Sequence, residues 1–329
     1  MHPITSLIGL AIYIAHVSAK STLVDTSVSR SCDCGFNEDQ VYWSHLWHMN
    51  FRQGLDTNEL YKTEDIFVAN YKIQPKYENS LSRVFSRDNV DLKGALQIAV
   101  TAAPDAQRVR CGGIGTKRQI DFLYGSFRSY LRTSPVHGTV AAMYMYNPGN
   151  EIDIEVLSAV DPPQSYFAIH PGLIENGRAS ALTHDNHWLG FDPTADFHEY
   201  RFDWFPDLVI FYIDGVEARR LTTNIASTAG RFLINHWTDG NANFSQGPPT
   251  EDAKLEIMNI TILFNSSQSY LPGCQQTKQA CSIQNVMAQL AAKDGPMSSA
   301  SRWTLAIHYQ QPWLAFIIFA TACLLLVTD

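Results

Sequence analysis

The sequence predicts an all-β protein, a sandwich of two antiparallel sheets of jelly-roll type. Three observations predict it. Short runs rich in β-branched and aromatic residues recur along the chain with turn residues between them. Helix-period stretches are few, and "SIQNVMAQLAAKD" at residues 282–294 is the best of them. The 329 residues are 45% hydrophobic and 17% charged, which suits one large core and argues against global disorder.

The strands follow in order. "YGSFRSYLRT" (124–133) is one, and "GTVAAMYMYN" (138–147) comes after a Ser-Pro-Val-His turn. "NPGN" (147–150) turns the chain into the next strand. "DFHEYRFDW" (196–204) and "LVIFYIDG" (208–215) flank a turn at Phe205-Pro206-Asp207. Asp214-Gly215 then makes a second turn, of the kind that is the strongest short hairpin signal. "GRFLINHW" (230–237) and "AKLEIMNITILF" (253–264) are the last strands. His198 alternates with Tyr200, Phe202 and Trp204, so it is expected on a core face as a hydrogen-bonded structural residue.

One strand carries chemistry. "GNEIDIEVLSA" (149–159) sets Glu151, Asp153 and Glu155 on one face and Ile152, Ile154 and Val156 on the other. The apolar set can pack between sheets. Three like charges on one face repel, a cost that a purely structural strand avoids. The outer two carboxylates start about 13 Å apart at the backbone. Leaning together, they reach roughly 5–6 Å, the separation of a retaining glycosidase rather than an inverting one. One Glu then attacks the anomeric carbon and the other serves as acid and base. Asp153 lies between them, and negative neighbours keep one carboxyl protonated near neutral pH. A cation site is the competing reading, but a straight strand spreads ligands along a line instead of wrapping an ion.

The Glu-Ile-Asp-Ile-Glu run resembles the signature of glycoside hydrolase family 16, in its form without a bulge residue. Plant xyloglucan endotransglycosylases, bacterial lichenases and fungal Crh-type wall transglycosylases share that form. "YGSFRSYLR" before the motif and "FDPTADFHEYRFDWFPDLVIFYIDG" after it are similar to the family's neighbouring segments. The likeness covers roughly residues 122–262, with Cys34-Gly35-Phe36 a looser match. It implies a concanavalin A-like jelly roll with a concave glycan-binding face. Position by position it implies Glu151 as nucleophile, Asp153 as the assisting residue and Glu155 as acid/base. It implies a cleft lined by Asn235 and Trp237, with Tyr144 near the scissile sugar and Tyr146 on the same side. Trp188 is expected to border the cleft. The sequon that plant members carry after the motif is missing here, as is their C-terminal extension, so β-glucan, with chitin as an acceptor, is expected before xyloglucan. The expected activity is endo-glycosidase or transglycosylase; a non-catalytic glycan-binding module is the alternative.

The net charge of −8 argues against a nucleic-acid partner. Residues 7–17 are apolar and Val17-Ser18-Ala19 is small, as in a secretory signal, so residues 1–19 are expected to be removed. Residues 20–270 are the predicted enzyme domain and 271–312 a Cys-containing tail and spacer. Residues 313–329 form an apolar end, read as a glycosylphosphatidylinositol attachment signal or a short retained anchor. The expected location is the cell surface or wall, as a monomer. Sequons at Asn243, Asn259 and Asn265 fit secretion. Cys274 and Cys281 are close in sequence and expected to pair; Cys111 could then join Cys32 or Cys34. No metal-ligand spacing is present, no cofactor is expected, and a structural Ca²⁺ is left open.

Overall fold

The computed structural model describes residues 24–294, apart from short breaks at 26–27, 29–30, 39–40, 52–55, 103–107 and 269–278. Two large sheets stack face to face. The first, here the motif sheet, runs in the order His184–Trp188, Gln164–His170, Asn150–Leu157, Val140–Asn147, Arg231–Trp237, Arg108–Thr116, Ser82–Phe85, Tyr71–Ile73. The second, the back sheet, runs Val216–Leu221, Val209–Ile213, His198–Trp204, Phe122–Arg132, Ala253–Ser266, Leu96–Val100, Val90–Leu92. The 14-residue strand Ala253–Ser266 serves two partners along one edge. It pairs with Leu96–Val100 through its first half and with His45–Asn50 through its second.

Alternation decides what each face does. Ile152, Ile154 and Val156 of the motif strand are buried against the back sheet, as are Tyr200, Phe202 and Trp204 from the other side. Rings cross the interface: Phe167 of the motif sheet stacks on Phe211 of the back sheet with centroids 4.6 Å apart, and Phe127 lies between Phe202 and Phe232. Each such ring, fully removed from water, contributes roughly 1.5–3 kcal/mol. His198 sits where its neighbours predicted: buried, its Nδ1 2.6 Å from Asp214 Oδ2 and its ring stacked on Phe191. The Asp214-Gly215 hairpin is confirmed by positive φ at both residues, 50° and 76°, which the paired turn requires.

A second layer covers the outside of the back sheet. On Ala253–Ser266, Ile262 and Phe264 point to the inter-sheet core, while Leu263 points outward into a cluster with Leu46, Trp43 and the helix Ile283–Asp294. The helix presents Ile283, Val286 and Leu290, spaced to share one face. It ends in a buried polar knot. The Asp294 carboxylate accepts from Asn50 Nδ2 at 2.7 Å and Asn259 Nδ2 at 2.8 Å, and lies 3.2 Å from His48 Nε2.

Two cysteine expectations are corrected. Cys281 is bonded to Cys32, not to Cys274, which lies outside the described residues. The cause is non-local: Phe36–Glu38 pairs in parallel with Cys281–Ser282, which brings the N-terminal segment alongside. Cys34 is also in a disulfide. Cys111 staples neither of them; it is a buried free thiol. Asn259 is corrected too. It is buried mid-strand with its amide nitrogen donating to Asp294, so this sequon is closed to a glycan in the folded chain. Asn243 is exposed and Asn265 half-buried. The signal and anchor segments, residues 1–19 and 313–329, lie outside the described residues.

Candidate active site

The site is built on the motif strand's outward face. Its register places Tyr166 across from Glu155, Ala168 across from Asp153 and His170 across from Glu151 on one side. On the other side the partners are Ala142, Tyr144 and Tyr146. Beyond these come Asn235, Leu233 and Arg231. Small residues therefore alternate with large ones around the carboxylates, which leaves room above Asp153 and Glu155.

Asp153 is buried, and its Oδ2 makes no hydrogen bond. His170 Nε2 lies 3.6 Å from it. Burial, then the charge and hydrogen-bonding contact of Glu151, then the charge of Glu155, hold its carboxyl well above the usual range. Glu155 is pushed up to about 8, first by burial and then by the charge of Glu151; Arg83 and a contact from the Trp237 side chain act the other way. Glu155 still touches solvent, yet protein surrounds it closely enough to desolvate it. That is the environment of a recess, not of a flat sheet face. Glu151 is half-buried beside them.

Tyr144 accepts a hydrogen bond at its hydroxyl from Asn235 Nδ2, 3.0 Å away. Burial, with the nearby carboxyls, holds its proton firmly. Asn235 Oδ1 is buried and makes no hydrogen bond. The site thus contains two buried side-chain oxygens without a hydrogen-bond partner, Asp153 Oδ2 and Asn235 Oδ1, each a cost unless a ligand supplies one.

The expected cleft residues divide. Tyr144, Asn235 and Trp237 gather around the carboxylates. Tyr146 lies across from Glu151 and is exposed. Trp188 sits on the edge strand, 64% exposed, in phase with Tyr166 through its pairing with Gln164. It is a rim residue. Three neighbours were not foreseen: Tyr166, Arg83 and Phe244. The Tyr166 position follows from register once the turn after residue 160 is known. Arg83 and Phe244 come from segments about 70 residues before and 90 residues after the motif, and no local pattern marks them. Phe244 belongs to a compact loop held by Ser245 Oγ donating to Asp239 Oδ1 at 2.8 Å. Among the described residues, no group of three or more His, Cys, Asp or Glu could hold a metal ion.

Comparison with known proteins gives the same answer. A β-glucanase of Acetivibrio thermocellus is 36% identical over 122 residues, 35% of this chain and 34% of that protein. A probable xyloglucan endotransglucosylase/hydrolase of Arabidopsis thaliana is 32% identical over 123 residues, 36% of this chain and 42% of that protein. The chain thus spans about a third of the first relative's length and less than half of the second's. A lichenase structure from a mouse hindgut metagenome aligns over 66% of this chain and 98% of its own, with a TM-score of 0.54 at 20% identity, which supports the jelly-roll fold. The family described as glycosyl hydrolases family 16 matches residues 77–256, a span that contains the three carboxylates and their surroundings, and the chain belongs to that family.

Proposed function

We propose that the chain is a retaining endo-acting β-glucanase or transglycosylase working by double displacement. One observation carries the reading. Three carboxyls share one recessed strand face, and burial with like-charged neighbours raises the proton affinity of two of them, Glu155 to about 8 and Asp153 well above the usual carboxylate range. Glu151 attacks the anomeric carbon. The carbon–oxygen bond to the leaving sugar breaks as Glu155 delivers its proton to that oxygen. Glu155, now a carboxylate, takes a proton from water or from a sugar hydroxyl. The new oxygen bonds to the anomeric carbon and Glu151 is released. Asp153, whose raised proton affinity favours its acid form, offers a hydrogen bond beside the nucleophile. Tyr144 and Asn235 stand ready to bind sugar hydroxyls, and the orphaned Asn235 Oδ1 accepts from one of them.

The β-glucanase and endotransglucosylase relatives support β-glucan as the substrate class. The apolar ends and the open Asn243 sequon support a secreted glycoprotein tethered at the cell surface. Product analysis on laminarin, mixed-linkage glucan, xyloglucan and chitin oligomers tests the reading, with anomeric configuration followed by proton NMR. The expected first product keeps the β configuration, and Glu151→Gln abolishes it while glycan binding survives. An inverted first product, or turnover unaffected in Glu151→Gln, would sink it.

A further inference from the structure

Val140 and Leu157 pose a question that the sandwich core does not answer. They sit directly across from each other, in phase with Ala142 and Glu155 on the outward face of the motif sheet. Both are nonetheless buried, and neither belongs to the inter-sheet core. Their cover must come from outside the sheet.

The loop 239–247 supplies it through Phe244. This ring stacks near Trp237, with centroids 6.0 Å and planes 24° apart, and meets the Tyr166 ring edge-on at 6.1 Å. Trp237 is directly across from Val140, and Tyr166 directly across from Glu155. The strands that carry these two rings are three strand spacings apart, roughly 14 Å at the backbone. A ring so close to both lies above the two strands between them, over the end of the motif strand that holds Glu155 and Leu157. The outward face is thus open at its Glu151 end, where Tyr146 and His170 are exposed, and walled by aromatic rings at its Glu155 end.

The wall is held in place by its own backbone. Leu81 N–H donates to the Asp239 carbonyl at 2.6 Å, and the Phe244 and Gln246 N–H groups both donate to the Asn241 carbonyl, at 3.1 and 2.9 Å. Gly247 packs directly on Gly138, where an added Cβ would come within 2.2 Å of the Gly138 carbonyl oxygen. Phe244 itself stays half-buried, so part of its ring remains open to a ligand.

We propose that Phe244 is a specificity-determining residue that stacks on the acceptor sugar and so favours transfer to a sugar hydroxyl over transfer to water. This rests on the reading of Glu155 as acid/base. The leaving oxygen and the incoming one must both come within reach of that carboxyl, so the sugar that bears them lies at the walled end. In the second half-reaction the acceptor oxygen bonds to the anomeric carbon as the bond to Glu151 breaks, and the hydroxyl proton passes to Glu155. Water can do this from many orientations. A sugar has to be held while its hydroxyl is aimed. An aromatic ring gives an apolar surface to the C–H face of a pyranose and keeps water out of the same space.

Phe244→Leu keeps an apolar cover over Val140 and Leu157 but removes the flat ring, whereas Phe244→Trp keeps a flat ring. Both retain the sequon at Asn243. Laminarin is supplied as donor with a fluorescent laminari-oligosaccharide as acceptor, and transfer and hydrolysis products are separated by chromatography. Phe244→Leu should raise the acceptor KM about fivefold and lower the transfer-to-hydrolysis ratio by about as much, with the hydrolysis rate held within about twofold and the melting temperature nearly unchanged. Phe244→Trp should keep the wild-type ratio. A residue that only covers the sheet gives the reverse pattern, a lowered melting temperature with the ratio unmoved. An unmoved ratio in Phe244→Leu overturns the proposal, and so does a wild type that forms hydrolysis products alone. A wild type inactive on every β-glucan overturns the enzymatic reading instead. Calorimetric titration with laminaritriose then decides on Phe244: a Kd raised about fivefold in Phe244→Leu keeps it as a sugar contact, and an unchanged Kd removes it.

Discussion

Two of the buried aspartates lie on opposite sides of the sandwich and are treated in opposite ways. Asp294, at the end of the back helix, is met by the Asn50 and Asn259 amides and by His48. Asp153, on the motif strand, has an orphaned oxygen and two glutamates for neighbours. A carboxylate whose lone pairs are satisfied fixes structure. One left without a partner, among like charges, has its proton affinity raised, and the fold tolerates that cost where chemistry is done.

Substitution should separate the two. Asp294→Ala should cost about 3 kcal/mol of stability, since several buried donors lose their acceptor together, yet leave turnover per folded molecule intact. Asp153→Asn should do the converse, lowering turnover roughly 10²-fold with little change in the urea midpoint. Paired denaturation and activity curves decide. Equal loss of stability in both variants would erase the contrast.

The contrast extends to pH. Glu155 holds its proton up to about 8 in the fold, whereas an unfolded chain releases it near about 4.3. Between those values the native state binds more protons. Stability therefore falls as pH rises through that window, by at most about 1.4 kcal/mol per pH unit for this one proton. Glu155→Gln removes the dependence. Its melting temperature should exceed that of the wild type at pH 8, and the gap should close toward pH 4. A gap of constant size across that range would refute the account.

The smallest effect is expected at the rim. Trp188 is held by the edge strand and mostly faces water. Trp188→Ala should raise KM for long β-glucans by about two- to fivefold and leave short oligosaccharides and stability nearly unchanged. Isothermal titration with a chain-length series would show it.

Much of this was readable from residues close together in sequence. The faces of the motif strand, the core side of His198 and the Asp214-Gly215 hairpin all follow from alternation or turn chemistry within ten residues. The helix expected at 282–294 is present as Ile283–Asp294. What could not be read depended on register between distant segments. Cys274 and Cys281 are neighbours in sequence, but a parallel pairing with Phe36–Glu38 gives Cys281 to Cys32. Asn259 carries a sound sequon, and only the packed helix shows that it is closed. Arg83 and Phe244 have no signature of their own. They matter because a nine-strand sheet and one loop deliver both of them to the Trp237 ring.

The helix on the back sheet also sets a direction. Its last residue is locked into the sandwich on the side away from the carboxylates. Any tether continuing from there would set out from the rear. A molecule held to a bilayer by such a leash would turn its working face outward, toward polymer rather than lipid.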